Sequence, residues 1–227
     1  MRWKMVSDAS FAATTGQSPA IVLAAGGSLR LGRPKQLLRV PASMQAKDGT
    51  ENEVLLERTL RVTREAGFHP VFVVLGAYAE QVQRTARMQD CTVLINPLWQ
   101  EGMASSIRYG VQAVVEQCPG ALGLLLLVCD QPALSSGHLR ALLAAHRMAP
   151  ENIVASHYAD HPGVPILAPR SFFPALLALT GDHGARAILR AGNHNLTEVP
   201  FANGEWDIDR PEDILEDVPG DKAPPSS

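Results

Sequence analysis

The sequence predicts an α/β protein in which a mostly parallel, Rossmann-like sheet lies between two layers of helices, a three-layer α/β/α sandwich. Short runs of almost continuous apolar residues alternate with segments of helical spacing, and such runs are typical of strands buried on both faces. This alternation favours parallel strands joined by right-handed crossover helices. Because open sheets of this kind bind ligands at the carboxyl ends of their strands, the residues after each run are candidate site residues.

The elements follow from these patterns in chain order. Strands are predicted at 21–25, 70–75, 92–95, 123–129 and 153–156, with helices at EVLLERTLRVTREAG, AEQVQRTARM, SSIRYGVQAVVEQC and SGHLRALLAAHRM between and after them. Further along, GVPILAP predicts another strand, and RSFFPALLALTGDHGARAILRAG predicts two helices around a Gly-Asp turn. The segment EWDIDRPEDILED predicts a strand that enters a helix near Pro211.

Composition limits the class of protein. With 227 residues and 46% hydrophobic residues, the chain is long enough for one substantial core. We expect a single domain at 19–217, a flexible extension at 1–18 and a disordered tail at 218–227. The segment PASMQAKDGTENE, at 41–53, is predicted to be a flexible insertion.

Charge and cysteine usage indicate the environment and exclude some partners. A formal net charge of −3 argues against nucleic-acid binding. Three cysteines without a CxxC pair are typical of a reduced, cytoplasmic protein without a thiolate zinc site. The longest apolar run, at 121–129, is too short to cross a membrane.

The first strand opens into a small, basic loop within AIVLAAGGSLRLGRPKQLL. Glycines let backbone N–H groups approach anionic oxygens closely, and Arg30 and Lys35 add positive charge, so the loop suits a polyphosphate. It is not a P-loop, because Arg33 stands where that motif requires Lys. It is not the dinucleotide fingerprint either, because Ser28 occupies the second glycine position.

Carboxylates follow two other predicted strands. Asp130 ends the run LLLLVCD, and Asp207 and Asp209 would share one face of a strand. Mg²⁺ is usually held by one or two carboxylates together with substrate phosphates. Capping or turn roles are alternatives for Asp130, and helix capping before Pro211 is an alternative for Asp209.

The loop resembles the LAAGxSxRMGxxKxLL signature of nucleotidyltransferases that activate phosphorylated small molecules with a nucleoside triphosphate. One position differs, Leu31 for the usual Met. CDQP resembles the metal-binding signature of the molybdenum cofactor cytidylyltransferase-like branch of that family. DIDRPEDI resembles its closing DIDTPEDL, with Arg210 for Thr.

Two more segments resemble the same branch. NPLWQEGMASSIRYG is similar to NPxWxxGMxxSxxxG, which implies a position near the nucleobase and ribose. HPGVPILAPRSFFPALLALTGDHGAR is similar to GxPxxxxxxxFxxLxxLxGDxGAR, which implies the acceptor side. Val164 departs from the His that the molybdenum cofactor enzyme often has at this position.

The resemblance implies a fold of the nucleotide-diphospho-sugar transferase type and a set of site residues. Arg30, Lys35 and Asp130 would be catalytic, and Mg²⁺ would be held by Asp130 with Asp207 or Asp209. Asp207 is favoured over Asp209, which has the competing capping role. The implied nucleotide contacts are Leu23, Ala24, Ala25, Gly26, Gly27, Ser28, Arg30, Lys35, Ser105 and Ser106. The implied acceptor contacts are Gly181, Asp182, Gly184 and Arg186.

The resemblance further implies transfer of a nucleoside monophosphate from a nucleoside triphosphate, CTP in particular, to molybdopterin cofactor. Alternatives on the same fold are a molybdopterin guanylyltransferase and a sugar-phosphate or methylerythritol-phosphate nucleotidyltransferase. A non-catalytic nucleotide-binding accessory protein for molybdenum hydroxylase maturation is another. A molybdenum hydroxylase, or its chaperone, is the implied protein partner. The failed dinucleotide fingerprint disfavours an NAD-dependent oxidoreductase.

Overall fold

The computed structural model describes residues 18–40, 53–185, 189, 195–209 and 213. Its strands are β1 (Ala20–Ala24), β2 (Val71–Leu75), β3 (Thr92–Ile95), β4 (Gly123–Val128), β5 (Ile153–Tyr158), β6 (His161–Pro169) and β7 (Leu196–Pro200). Its helices are α1 (Leu55–Glu65), α2 (Ala79–Thr85), α3 (Met103–Gln117), α4 (Ser136–Met148) and α5 (Phe173–Leu177). The predicted tail, and all but the last residue of both the predicted extension and the predicted insertion, lie outside the described residues.

The strands form one sheet in the order β3-β2-β1-β4-β6-β5-β7. β1 pairs in parallel with β2 and β4, β2 with β3, and β5 with β7. β6 alone is inserted antiparallel, between β4 and β5. The predicted mostly parallel sheet is confirmed. The antiparallel strand brings its own first residues to the edge where β4 ends.

Apolar side chains cover both faces of the sheet. On one face Val22 and Val73 pack with α1, α2 and α4, and on the other Ile21 and Phe72 pack with α3 and α5. The alternation of side chains along each strand explains why consecutive residues serve opposite layers. The three-layer α/β/α architecture is therefore confirmed.

One prediction for the carboxyl-terminal part was wrong, and one strand there was missed. Residues 205–209 do not form a strand. They follow an irregular path, and the Ile208 N–H donates to the Asp130 carbonyl over 3.1 Å. Among the described residues the last strand is β7, an edge strand that pairs there with β5 and has half-buried and exposed residues. Its sequence LTEVP lacks the apolar run that identified the other strands.

Most of the second helix predicted within 170–192 lies outside the described residues. Cys91, Cys118 and Cys129 are all free thiols. Within the described ranges, no helix combines the length and the apolar character needed to cross a bilayer.

Candidate active site

The loop after β1 is organised by Ser28. This residue has a left-handed backbone conformation, with φ at 45°. Its carbonyl accepts hydrogen bonds from the N–H groups of Leu31 and Gly32, and its Oγ accepts one from the Lys35 N–H at 3.2 Å. These bonds place Lys35 at the start of a short 3₁₀ turn, Lys35–Leu37. Arg30 lies exposed on the outer side of the loop.

Gln36, which was not among the predicted site residues, stabilises the carboxyl end of β1. Its side chain is buried, and Nε2 donates to the carbonyls of Ala24 at 2.8 Å and Gly26 at 3.3 Å. These carbonyls lie at the end of β1 and just beyond it, so the amide stabilises the turn away from the strand. In the sequence, the only indication of this role was an amide side chain within the run KQLL.

Lys35 lies between two carboxylates that are far apart in the chain. Its ammonium forms an ion pair with Asp130, and Nζ donates to Asp209 Oδ1 at 2.9 Å. Arg30 Nη1 lies 3.7 Å from Asp209 Oδ2. Burial alone lowers the pKa of Lys35, but the charge of Asp130 and the hydrogen bonds to both carboxylates outweigh it and hold that pKa above its ordinary value. The ammonium is therefore charged at neutral pH.

The structure distinguishes the two candidate carboxylates of the DID segment through the ion pairs of Asp209. Both carboxylates line a neighbouring cavity, and Asp209 contacts Lys35 and Arg30. Because the segment is not a strand, the predicted shared face does not apply. The geometry favours Asp209 as the partner of Asp130, where the sequence favoured Asp207.

Two cavities meet at this cluster. The first, here called the loop cavity, has a volume of about 320 Å³ and lies against the β1 loop and the turn before α3. The second, the hairpin cavity, has a volume of about 530 Å³ and lies against the β5–β6 hairpin. Residues common to both walls are Leu23, Lys35, Met103, Val128, Asp130 and Asp182. The Lys35–Asp130 pair therefore stands where ligands of the two cavities would meet.

The loop cavity contains most of the predicted nucleotide contacts. Leu23, Ala24, Ala25, Gly26, Gly27, Lys35 and Ser106 line it. Asn96, which was not predicted, donates from Nδ2 to Ser105 Oγ at 2.9 Å and to Ser106 Oγ at 3.0 Å. Ser105 Oγ also lies 2.8 Å from the Leu98 carbonyl. Ser105 thus stabilises the turn, and Ser106 is the serine on the cavity wall.

Three of the four predicted acceptor residues are described. Gly181 accepts a hydrogen bond from the Ala104 N–H at 3.1 Å, which attaches this segment to the start of α3. Asp182 lines both cavities and Gly184 lines the hairpin cavity. Arg186 lies outside the described residues.

The wall of the hairpin cavity includes residues that sequence patterns did not reveal. Gln131 is buried, and its Nε2 donates to the Gly204 carbonyl at 2.8 Å and contacts the Val164 carbonyl at 3.3 Å and Tyr158 Oη at 3.4 Å. A Cβ on Gly163 would lie 2.4 Å from Tyr158 Oη. Gly163 therefore allows the tyrosine to pack across the hairpin.

The residues present fit a divalent cation bound jointly with substrate. Asp130 Oδ1 is buried without a hydrogen-bond partner, and carboxylate oxygens are the ligands that Mg²⁺ and Mn²⁺ prefer. Among the described residues, no group of three or more His, Cys, Asp and Glu side chains could hold a metal by itself. Substrate oxygens would have to complete the shell. Burial raises the pKa of the adjacent Cys129 to about 12, so this thiol stays protonated.

The family assignment follows from a match of residues 20–197 to the family model described as the MobA-like NTP transferase domain. This chain belongs to that family. It is therefore a nucleotidyltransferase, and the resemblance seen in the sequence is confirmed. The matched range contains the β1 loop, Asp130 and the segment 181–184, but ends before Asp207 and Asp209.

Curated relatives with several names match this nucleotidyltransferase. Purine catabolism protein PucB of Bacillus subtilis is 32% identical over 202 residues, 85% of this chain and 92% of that protein. Nicotine blue oxidoreductase of Paenarthrobacter nicotinovorans is 32% identical over 177 residues, 75% of this chain and 80% of that protein. Molybdenum cofactor cytidylyltransferase of Escherichia coli is 24% identical over 197 residues, 86% of this chain and 92% of that protein.

Solved structures share the architecture. Rv0371c from Mycobacterium tuberculosis is 31% identical, with a TM-score of 0.72 over 88% of this chain and 96% of that chain. A second structure of Rv0371c, a complex with manganese, is 29% identical, with a TM-score of 0.63 over 82% of this chain and 89% of that chain. The fold of the nucleotidyltransferases is thus established for this chain.

Proposed function

We propose that this nucleotidyltransferase transfers CMP from CTP to the phosphate of a molybdopterin-type acceptor, with a divalent cation, Mg²⁺ first, and release of pyrophosphate. The observation that carries the proposal is the position of Lys35. Its ammonium lies between Asp130 and Asp209, in the wall common to both cavities. Charge neutralisation and metal ligands are therefore available where a nucleotide in one cavity would meet an acceptor in the other.

The reaction would be an in-line displacement at the α-phosphorus. An oxygen of the acceptor phosphate forms the new bond to phosphorus. The bond from the α-phosphorus to the bridging oxygen breaks, and pyrophosphate leaves with the electron pair. Since a phosphate nucleophile is already anionic, no general base is required. The nearby protonated Cys129 and charged Lys35 are consistent with that.

Positioning and charge then account for the catalysis. Lys35 and Arg30 would bind phosphate oxygens and stabilise the charge that develops on the leaving pyrophosphate. A divalent cation on Asp130 and Asp209 would neutralise the phosphate oxygens and orient them. A cation held by Asp130 and Asp209 would compete with their ion pairs to Lys35, so the ammonium would be available to the triphosphate.

The choice of CTP and of the acceptor is supported by resemblance. Ala25 stands where guanylyltransferase relatives usually carry Gly, and an E. coli relative is named molybdenum cofactor cytidylyltransferase. GTP, or a sugar or methylerythritol phosphate as acceptor, would fit the same mechanism. A molybdenum hydroxylase, or its chaperone, is the protein partner expected with a molybdopterin product.

A second candidate function has one observation in its favour. A relative 32% identical over 80% of its length is named an oxidoreductase. In this chain a nicotinamide dinucleotide would have to use the β1 loop without the glycine fingerprint, since Ser28 occupies the second glycine position.

The test is a thermal-shift panel of CTP, GTP, ATP, UTP, NADH and NADPH, each with EDTA, Mg²⁺ or Mn²⁺. A ligand that binds only the folded chain raises the melting temperature by mass action. We expect stabilisation by CTP that requires the cation and disappears in Asp130→Asn, with Asp160→Asn as the matched surface control. Selective stabilisation by GTP would show that GTP, and not CTP, is the donor. A response to NADPH alone would overturn the transferase proposal. Pyrophosphate release with molybdopterin then tests turnover.

A further inference from the structure

The loop cavity has one aromatic side chain among its described lining residues, Trp99. It lies in the short 3₁₀ turn Trp99–Glu101, between β3 and α3, and is half-buried. Its six-membered ring reaches the β1 loop, because Cζ3 lies 3.4 Å from the position of a Cβ on Gly27. The ring therefore packs against Gly27 and forms part of the cavity wall beside the β1 loop.

Gly76 makes this position of the ring possible. A Cβ there would lie 2.6 Å from Trp99 Cβ, 2.8 Å from Trp99 Cγ and 2.6 Å from the Ala25 carbonyl oxygen. The Ala77 N–H donates to that same carbonyl at 3.1 Å, and the Gly102 N–H donates to the Trp99 carbonyl at 3.2 Å. The indole is thus held over the carboxyl ends of β1 and β2 by contacts that leave no room for a side chain at Gly76.

The strand order gives the cavity a charged end and an apolar end. Asp130 follows β4 on one side of β1, and it pairs with Lys35. Trp99 approaches the ends of β1 and β2 from the opposite side, that of β3. The indole and the charged pair therefore line the same cavity from opposite sides of β1. A nucleoside triphosphate has the same polarity, charge at one end and a flat π-system at the other.

We propose that Trp99 stacks on the nucleobase and that Gly76 is the positioning residue that admits the indole to the cavity. This rests on the proposed function in that the ligand is a nucleoside triphosphate. Every base has a π-face, so stacking adds affinity without choosing among bases. Trp99 therefore determines how tightly the nucleotide is held, and other contacts determine which base is accepted.

Intrinsic fluorescence tests the contact directly, because the chain has three tryptophans, Trp3, Trp99 and Trp206. Trp206 lines neither cavity, so Trp206→Phe is the matched control for Trp99→Phe. We expect CTP with Mg²⁺ to quench the wild-type chain and Trp206→Phe to about the same extent. Trp99→Phe should lose the quenching and still bind, as measured by thermal shift, because a phenyl ring can also stack.

Affinity provides the second readout. Trp99→Ala should raise the Kd for CTP by roughly ten- to a hundredfold, as removal of one stacking partner does elsewhere. Leu98→Ala, an exposed change in the same turn, should leave the Kd unchanged. Gly76→Ala should raise the Kd and KM for CTP while kcat at saturation stays near wild type. Gly120→Ala, where a Cβ meets nothing within 4 Å, is its control.

Each outcome bears on a different statement. Wild-type Kd in a folded Trp99→Ala chain, or quenching that is lost in Trp206→Phe and kept in Trp99→Phe, would overturn the stacking proposal alone. A Gly76→Ala chain that binds as wild type would remove the positioning role. Failure of the wild-type chain to bind any nucleotide would overturn this proposal together with the proposed function.

Discussion

The two cavities that meet at Lys35 are lined by different kinds of groups. The β1 loop and the turn before α3 shape the loop cavity, with the main chain of Gly26 and Gly27 and the ring of Trp99 in its wall and the buried amides of Gln36 and Asn96 as supports. The hairpin cavity is shaped by side chains from an antiparallel hairpin and irregular segments, including Tyr158, Val164, His183 and Asp207. The main-chain part of the loop cavity is insensitive to most substitutions, whereas a wall made of side chains changes with each one.

This difference indicates how one fold could serve several reactions. The parallel strands β1 and β4 contribute their carboxyl-terminal residues Leu23, Ala24 and Val128 to the loop cavity. The hairpin cavity depends on residues beside β6, whose direction is reversed. We therefore expect changes on the loop side to abolish nucleotide chemistry and changes on the hairpin side to alter the acceptor.

The largest effect is expected at Lys35, one of the residues common to both cavity walls. Lys35→Ala should lower kcat/KM by on the order of a hundred- to a thousandfold, because it removes a preorganised charge aimed at the phosphates. The measurement is steady-state pyrophosphate release, with circular dichroism to establish the fold. Arg33→Ala, an exposed basic residue of the same loop that lines neither cavity, should retain full activity. Equal rates in the two variants would remove Lys35 from the mechanism.

Substitution of Gln36, which supports the loop cavity, should have the next largest effect. Gln36→Leu leaves the carbonyls of Ala24 and Gly26 without their side-chain donor and should cost about 1–3 kcal/mol of unfolding free energy. It should also raise the KM for the nucleotide and leave the KM for the acceptor unchanged. Denaturant unfolding and two-substrate kinetics measure these effects against Gln81→Leu, an exposed position on α2. A variant whose acceptor KM rises as much as its nucleotide KM would break the division between the cavities.

A hairpin-side change should give the complementary result. Val164→Phe fills part of the hairpin cavity and should raise the KM for the acceptor by roughly tenfold. The Kd for CTP should stay at the wild-type value, because Val164 does not line the loop cavity. Leu122→Phe, at an exposed position that lines neither of the two cavities, is the control. A changed Kd for CTP would show that the two cavities are not independent.

The smallest predicted effect is a pH dependence of the melting temperature, which arises where His138 of α4 contacts the β5–β6 hairpin. His138 Nε2 lies 2.8 Å from Ser156 Oγ, which donates to the Pro165 carbonyl, and burial lowers the pKa of His138 to about 4. The neutral imidazole therefore stabilises the fold fully above pH 6.5, and this contribution is lost as the pH falls from 6.5 to about 4. Between pH 7 and pH 5 we expect a fall in Tm on the order of 2 °C that His138→Gln reduces. His69→Gln, an exposed change, should leave the fall as it is; an identical fall in both variants would contradict the assignment.

Sequence reasoning succeeded where a single local signal decides the structure. Apolar runs predicted β1 to β4 to within a residue or so, because strands buried on both faces need them. Lys35 and Asp130 were predicted as site residues because each follows such a run, and the fold places both at the edge where ligands bind. Their roles in catalysis remain predictions.

Other features depend on contacts that local patterns do not contain. β7 is half exposed and obtains its hydrogen bonds from β5, so its own sequence carries no strand signal. Residues 205–209 alternate like a strand, but the segment is held by Asp130 and Lys35 rather than by a ladder. The supports Gln36, Asn96 and Gln131 are ordinary polar residues in sequence and acquire importance only from what lies within 3 Å of them.

The β5–β6 hairpin turns through Ala159 and Asp160, both with positive φ, and pairs Tyr158 with His161. A two-residue turn of this kind can be lengthened or replaced without disturbing the strands that lead into it. Tyr158 and Val164, on either side of this turn, line the hairpin cavity. Libraries confined to the hairpin would therefore explore new acceptors while the nucleotide chemistry is inherited intact, which makes this chain a practical starting point for engineered transferases.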